Sequence, residues 1–75
     1  MNGNQSNTIT TADGIDIDIT RGDIAFNYYD MKRGTIGRVE YDGWFEFNHT
    51  DGTRAFLNSE RICSIPHAIR MGWTK

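Results

Sequence analysis

The chain has 75 residues, a formal net charge of −2 and a single cysteine. This length allows one small domain, which buries only about 60% of the surface that its unfolded chain exposes. One cysteine excludes an intrachain disulfide, and Cys63, His49 and His67 lack the paired spacing of a metal site. We therefore expect no metal and no cofactor, and a fold that depends on packing or on self-association.

The first fourteen residues, MNGNQSNTITTADG, are polar and rich in Asn and Thr. They lack the basic start and apolar segment of a signal peptide, and no apolar run approaches the roughly 18 residues of a membrane helix. We therefore expect a cytoplasmic protein without membrane contact. Because such a segment buries too little apolar surface to offset its ordering entropy, we expect a flexible tail over residues 1–14 and a single domain over residues 15–75.

Charge is distributed unevenly along the chain. Residues 1–31 hold five acids against one arginine, whereas residues 32–75 hold seven bases against five acids. Nucleic-acid-binding proteins usually carry a larger basic excess than this. A local basic patch would nevertheless suffice, so the charge balance lowers that hypothesis without removing it.

The alternation of apolar and polar residues begins at Ile15, where IDIDIT has the two-residue period of a half-buried strand. Arg-Gly-Asp at 21–23 predicts a turn, because glycine tolerates the backbone angles that turns require. The alternation resumes in IAFNYY (24–29), and DMKRG interrupts it before a β-branched segment over 35–41. The first half of the domain is thus predicted to be a series of short strands.

Two Asp-Gly pairs, Asp42-Gly43 and Asp51-Gly52, predict hairpin turns, since both central residues of a type I′ turn need positive φ. They would join strands over 35–41, 44–49 and 54–58 into a meander. If both loops have two residues, Tyr41 faces Trp44, Val39 faces Glu46, and two faces follow. The predicted core face carries Ile36, Phe45, Phe47 and Phe56, and the opposite face carries Tyr41, Trp44, Glu46 and Leu57.

A sheet that is apolar on both faces must curl into a barrel or cover its second face. A β-bulge at Gly37 would exchange the two faces along part of one strand, and we leave that alternative open.

After the meander, NSERICSI predicts a tight connection and a short strand over 61–65. Pro66 suits the first turn of a helix and Gly72 its end, so PHAIRMGW predicts a helix of about two turns.

Catalytic chemistry has little support in the sequence. No nucleophile elbow surrounds Cys63, and a free cysteine commonly behaves as a small buried hydrophobe. Paired carboxylates such as Glu40 and Glu46 would need a pocket that a chain this small seldom builds. We therefore expect a protein that is not an enzyme.

Aromatic and basic residues are interleaved around the first Asp-Gly pair. Tyr41, Trp44, Arg38 and Arg54 would form a platform on which a base or a cationic side chain stacks. The same residue types dominate protein–protein hot spots. The alternative is that Trp44 only caps the end of a barrel.

The segment KRGTIGRVEYDGWFEF resembles the SH3-like small barrels, including KOW and Tudor-type modules. Gly34-Thr35-Ile36-Gly37-Arg38-Val39 is similar to their G-x-x-G-x-V start, and DGTRAFL is similar to a later strand. The resemblance covers about residues 24–65. It implies a binding module for nucleic acid, for ribosome or polymerase surfaces, or for peptides. The chain lacks the strongly basic character of KOW modules and the four-residue aromatic cage of Tudor modules.

The sequence thus predicts an all-β domain, an SH3-like barrel or a strongly bent antiparallel sheet of five to six strands, with a short C-terminal helix. The first functional hypothesis is a protein-binding module, a phage- or mobile-element-encoded regulator or inhibitor of a host protein, acting through Tyr41, Trp44 and the nearby arginines. The second is nucleic-acid binding through Lys32, Arg33, Arg38 and Arg54. The third is a structural homodimer or larger homo-oligomer that hides the second apolar face.

Overall fold

The structure is a computed structural model that describes residues 8–41 and 43–75, with Tyr41 described by its backbone alone. Within these residues a curled five-stranded antiparallel sheet forms a half-barrel, accompanied by a two-stranded sheet and a short C-terminal helix. The predicted all-β class and C-terminal helix are confirmed, and the half-barrel is compatible with an SH3-like fold. The elements are β1 (Thr8–Thr10), β2 (Asp16–Asp18), β3 (Ile24–Asn27), β4 (Lys32–Tyr41), β5 (Trp44–His49), β6 (Arg54–Asn58), a 3₁₀ helix (Ser59–Arg61), β7 (Ile62–Cys63) and α1 (Ile65–Arg70).

The main core lies on the inner face of the five-stranded sheet, whose strand order is β6-β5-β4-β3-β7. Phe45 and Phe47 are both 0% exposed, and burying a side chain of this size contributes about 1.5–3 kcal/mol. The β1–β2 hairpin covers this face, and Ile9 and Ile19 pack against the core. The buried members of the core are Ile17, Ala25, Ile36, Phe45, Phe47, Leu57 and Ile62.

The described fold begins earlier than residue 15. In β1, Ile9 pairs with Ile17 of β2, so part of the segment that we predicted to be a flexible tail forms a strand and a turn. The carboxylate of Asp13 in this turn accepts hydrogen bonds from the backbone N–H (2.8 Å) and the hydroxyl (2.6 Å) of Ser64. The turn is therefore attached to the residue that precedes α1. Residues 1–7, the rest of the predicted tail, lie outside the described residues.

Two predicted strands are shorter in the structure because side chains terminate them. At the end of β2, the carboxylate of Asp18 accepts a hydrogen bond from Thr20 N (2.9 Å) and starts the turn. Before β7, the Asn58 side chain accepts a hydrogen bond from Glu60 N (3.1 Å) and caps the 3₁₀ helix. The 3₁₀ helix includes Arg61 and Ser64 caps α1, so the strand expected over 61–65 is reduced to Ile62–Cys63.

The β5–β6 hairpin corrects the predicted face assignment. His49 N donates to Thr53 O (2.9 Å), and Gly52 has φ +93, so the loop has three residues rather than two. One additional loop residue shifts β6 by one position, which exchanges its two faces. Leu57 consequently faces Phe45 in the core, and the expectation that Phe56 lies there is wrong.

Strand β4 contains two register shifts. Ile36 pairs with Phe47, but Val39 pairs with Phe45 and not with Glu46 as predicted. The first shift includes Gly37, where a Cβ atom would lie 2.6 Å from Asn48 Nδ2. The open alternative of a bulge at Gly37 is thus the observed one.

The predicted two-residue loop of the β4–β5 hairpin is confirmed by the pairing of Tyr41 with Trp44. Gly43 has φ +82, and a type I′ turn requires such a positive angle at this position. Asp42 lies outside the described residues. This turn keeps its predicted length, and the second register shift of β4 follows directly, between Tyr41 and Val39.

The outer face of the sheet is covered by α1 on its β3–β7 side. Phe26 and Cys63 of the sheet pack against Ala68 of the helix. Ser64 caps the helix by accepting a hydrogen bond from His67 N (3.3 Å), with Pro66 in the first turn. The helix therefore covers part of the outer face, on the side of the sheet away from Trp44 and Phe56. Gly72 follows the helix with φ +78.

Candidate functional site

The outer face over β5 and β6 carries an aromatic pair. Trp44 of β5 and Phe56 of β6 stack with ring centroids 5.4 Å apart and ring planes inclined by 21°. Phe56 remains 48% exposed. The pair forms because side chains alternate along a strand, so that burying Phe45 and Phe47 directs their neighbours outward. We call the outward residues Trp44, Glu46, Asn48, Arg54 and Phe56 the Trp44–Phe56 face.

Of the predicted arginines, Arg54 belongs to this face and Arg38 lies beside it. Arg54 pairs with Asn48 across the β5–β6 ladder and is exposed. Arg38 is exposed, and its Nε donates to Glu40 Oε2 at 2.9 Å. The hydrogen bond to Glu40, followed by the charges of Glu40 and Glu46, raises the pKa of Arg38 above its usual value. Because Glu46 pairs with Phe56, charges of both signs lie next to the aromatic pair.

Tyr41 is paired with Trp44 by backbone register at the end of the same hairpin. Directly opposite residues of an antiparallel pair occupy the same face of a sheet. The structure therefore places the Tyr41 position next to Trp44, as predicted. Its side chain is not among the described parts of the chain.

Lys32 and Arg33 lie at the other end of β4, away from Trp44. Lys32 Nζ is 2.9 Å from Asp51 Oδ2, and hydrogen bonds from Thr53 and then from Lys32 lower the pKa of Asp51 well below its usual range. Arg33 Nε donates to Thr74 Oγ1 at 3.1 Å. Arg54 lies toward this same end, because its partner Asn48 pairs with Thr35 of β4. Of the four basic residues of the nucleic-acid hypothesis, Arg38 alone therefore lies toward the Trp44 end of the sheet.

The structure shows a second aromatic group that the sequence interpretation missed. Trp73 stacks against Phe26 (6.2 Å between centroids, 16°) and against Tyr28 (5.7 Å, 22°). Tyr28 contacts Tyr29 (5.2 Å), and the guanidinium carbon of Arg61 lies 4.1 Å from the centre of the Tyr29 ring. We call these five residues the Tyr29–Trp73 cluster. The adjacent tyrosines and the tryptophan after Gly72 were the available signals, but no local pattern connects them.

His49 belongs to a buried polar network. It is 6% exposed, and its Nε2 lies 3.0 Å from Asn27 Nδ2, while its Nδ1 lies 2.9 Å from Thr53 Oγ1. Asn27 Oδ1 accepts the backbone N–H of Tyr29 (3.1 Å), which directs the amide N–H groups of Asn27 toward the imidazole. Both ring nitrogens of His49 are therefore used within the fold. This arrangement supports a structural role for His49.

Cys63 is buried in the contact between the sheet and α1. Burial, and secondarily the charge of Asp13, raises the pKa of the Cys63 thiol to about 11. A thiol with such a pKa is protonated at neutral pH and is a poor nucleophile. In residues 8–41 and 43–75 there is neither a surface pocket nor a group of three side chains placed to hold a metal ion.

No protein-family model, curated protein sequence or solved structure matches the chain significantly. In the described part of the chain, no helix has the length and apolar character needed to cross a lipid bilayer.

Proposed function

We propose that the protein is a small non-enzymatic binding module that engages a protein partner through the Trp44–Phe56 face. The observation that carries the proposal is the stacked pair of Trp44 and Phe56, with Phe56 48% exposed on a sheet face. An exposed face of an antiparallel sheet normally carries polar residues. Large aromatic side chains at outward positions are typical of protein–protein hot spots.

The charges around the pair favour a protein over a nucleic acid at this face. Arg38 is hydrogen-bonded to Glu40 and lies in the field of Glu46, so this positive group has two negative neighbours. A polyanion would be repelled by these carboxylates, whereas a protein surface presents charges of both signs. An apolar centre with a polar rim is the usual anatomy of a protein interface.

We further propose that the partner is a host or cognate protein in the cytoplasm and that the chain regulates or inhibits it, as a phage- or mobile-element-encoded product would. The small size and the resemblance to SH3-like modules support this proposal. A second copy of the chain is the alternative partner, because an aromatic pair on a sheet face also suits a symmetric dimer.

Affinity capture from a host-cell lysate, with and without nuclease, tests the proposal. The tagged wild type is compared with Trp44→Ala, and Tyr29→Ala serves as the matched control because it removes an exposed aromatic ring elsewhere. We expect a nuclease-resistant partner that Trp44→Ala loses and Tyr29→Ala retains. The purified partner should then bind Trp44→Ala at least tenfold more weakly.

Two further results would contradict the protein-partner proposal. If Trp44→Ala left affinity within a factor of two while its circular dichroism matched the wild type, the face would not be the binding surface. If light scattering showed a wild-type dimer that Trp44→Ala converts to a monomer, the partner would be a second copy.

A further inference from the structure

The Tyr29–Trp73 cluster presents a second surface, separate from the Trp44–Phe56 face. Tyr29 is 60% exposed, whereas Phe26 is 1% exposed and forms the base of the stack. The cluster lies at the β3–β4 turn, and Trp44 lies at the β4–β5 turn. These two turns are at opposite ends of β4, so the two surfaces are well separated.

The exposed ring of Tyr29 is held in place by several contacts. Its backbone N–H donates to Asn27 Oδ1 at 3.1 Å, and Arg61 lies against its ring. Tyr28, which contacts it, donates its hydroxyl to the backbone carbonyl of Glu60. A ring that is already ordered loses little conformational freedom when a ligand stacks on it.

The chain segment that contains Arg61 and Trp73 is basic. Residues 61–75 hold three bases, Arg61, Arg70 and Lys75, and no acidic side chain. Arg33 is attached to the same segment, because its Nη2 donates to Lys75 O at 2.6 Å. The neighbouring acids are Asp30, whose Oδ2 accepts a hydrogen bond from Asn27 Nδ2 (3.2 Å), and Glu60.

Stacked aromatic rings bordered by arginine and lysine are the features with which proteins bind single strands without sequence preference. We propose that the Tyr29–Trp73 cluster binds single-stranded nucleic acid. One nucleobase stacks on the exposed side of the Tyr29 ring. Arg61 and the other basic side chains of residues 61–75 contact the phosphates. An acidic peptide would form ion pairs with the arginine and lysine side chains, but its carboxylates would not stack on the ring of Tyr29.

The test is fluorescence anisotropy of a short labelled single-stranded oligonucleotide with the full chain at low salt. Removal of one stacking ring weakens such binding about 5- to 150-fold, so we expect this loss for Tyr29→Ala. Tyr29→Phe, which keeps the ring, should bind like the wild type. Trp44→Ala, on the other surface, should also bind like the wild type.

A second measurement separates stacking from simple charge attraction. Arg61→Gln should reduce the slope of log affinity against log salt by about 0.7, because one phosphate contact is lost. Polyphosphate, which has no rings, should bind Tyr29→Ala as well as it binds the wild type.

Three results would overturn the proposal. The first is the absence of oligonucleotide binding by the wild type at low salt. The second is an unchanged oligonucleotide affinity for Tyr29→Ala. The third is an equal loss of polyphosphate and oligonucleotide affinity in Tyr29→Ala, which would identify a surface for acidic partners in general.

Discussion

The register of β6 leads to a specific prediction for two adjacent residues. Leu57 is 6% exposed within the main core, and Phe56 is 48% exposed on the outer face. Leu57→Ala removes buried methyl groups and leaves a cavity, which costs about 2–5 kcal/mol in the free energy of unfolding. A small domain has a total stability of only about 5–15 kcal/mol, so this change removes a large part of it.

Phe56→Ala should cost less than Leu57→Ala, although it removes a larger side chain. Full burial of a phenylalanine is worth about 1.5–3 kcal/mol, and about half of Phe56 remains in water, so roughly 1 kcal/mol of burial is lost. The stack with Trp44 adds about 0.5–1.5 kcal/mol. The expected total is about 2 kcal/mol, which lies at the lower limit of the range for Leu57→Ala.

Urea unfolding followed by far-ultraviolet circular dichroism measures both variants without depending on Trp44 fluorescence. We expect unchanged m-values and a lower midpoint for Leu57→Ala than for Phe56→Ala. If Phe56→Ala were the more destabilised variant, the three-residue loop and the register derived from it would be refuted.

Three further predictions concern stability. A Cβ atom at Gly34 would lie 2.4 Å from Asn48 O, so Gly34→Ala should lower the free energy of unfolding by about 1–3 kcal/mol. A melting temperature equal to that of the wild type would contradict this close approach. Burial alone would raise the pKa of Asp13, but hydrogen bonds from Ser64 and Thr11 outweigh it and lower the pKa. The contribution of Asp13 to the free energy of unfolding is therefore present above its ordinary pKa of 3.8. It is lost as the pH falls through the lowered pKa of the folded state. Urea midpoints measured against pH should fall less steeply in acid for Asp13→Asn than for the wild type. Met31 has φ +58, so Met31→Gly should stabilise the fold by about 0.5–1 kcal/mol, and a decrease in melting temperature would show that the left-handed backbone is not strained.

Local patterns were sufficient for most of the secondary structure. Two-residue alternation predicted the strands, and the Asp-Gly pairs predicted the turns of the meander. Pro66 and Gly72 bracketed a helix that the structure places at Ile65–Arg70. These features depend on the backbone preferences of neighbouring residues, so they can be interpreted without knowing the tertiary contacts.

Strand faces and candidate surfaces required the packed structure. The loop at Asp51-Gly52 has one more residue than assumed, and this exchanged Phe56 with Leu57 between the core and the outer face. Asp-Gly is compatible with either loop length, so the sequence left this register undetermined.

Contacts between distant residues account for the other differences from prediction. Ala12 N donates to Ile62 O at 2.9 Å and, together with Asp13 and Ser64, attaches the β1–β2 hairpin to the main sheet. The segment has too few apolar residues to order alone, and the sheet supplies the surface that it lacks. The Tyr29–Trp73 cluster likewise depends on tertiary packing, since α1 on the outer face brings Trp73 to Tyr28.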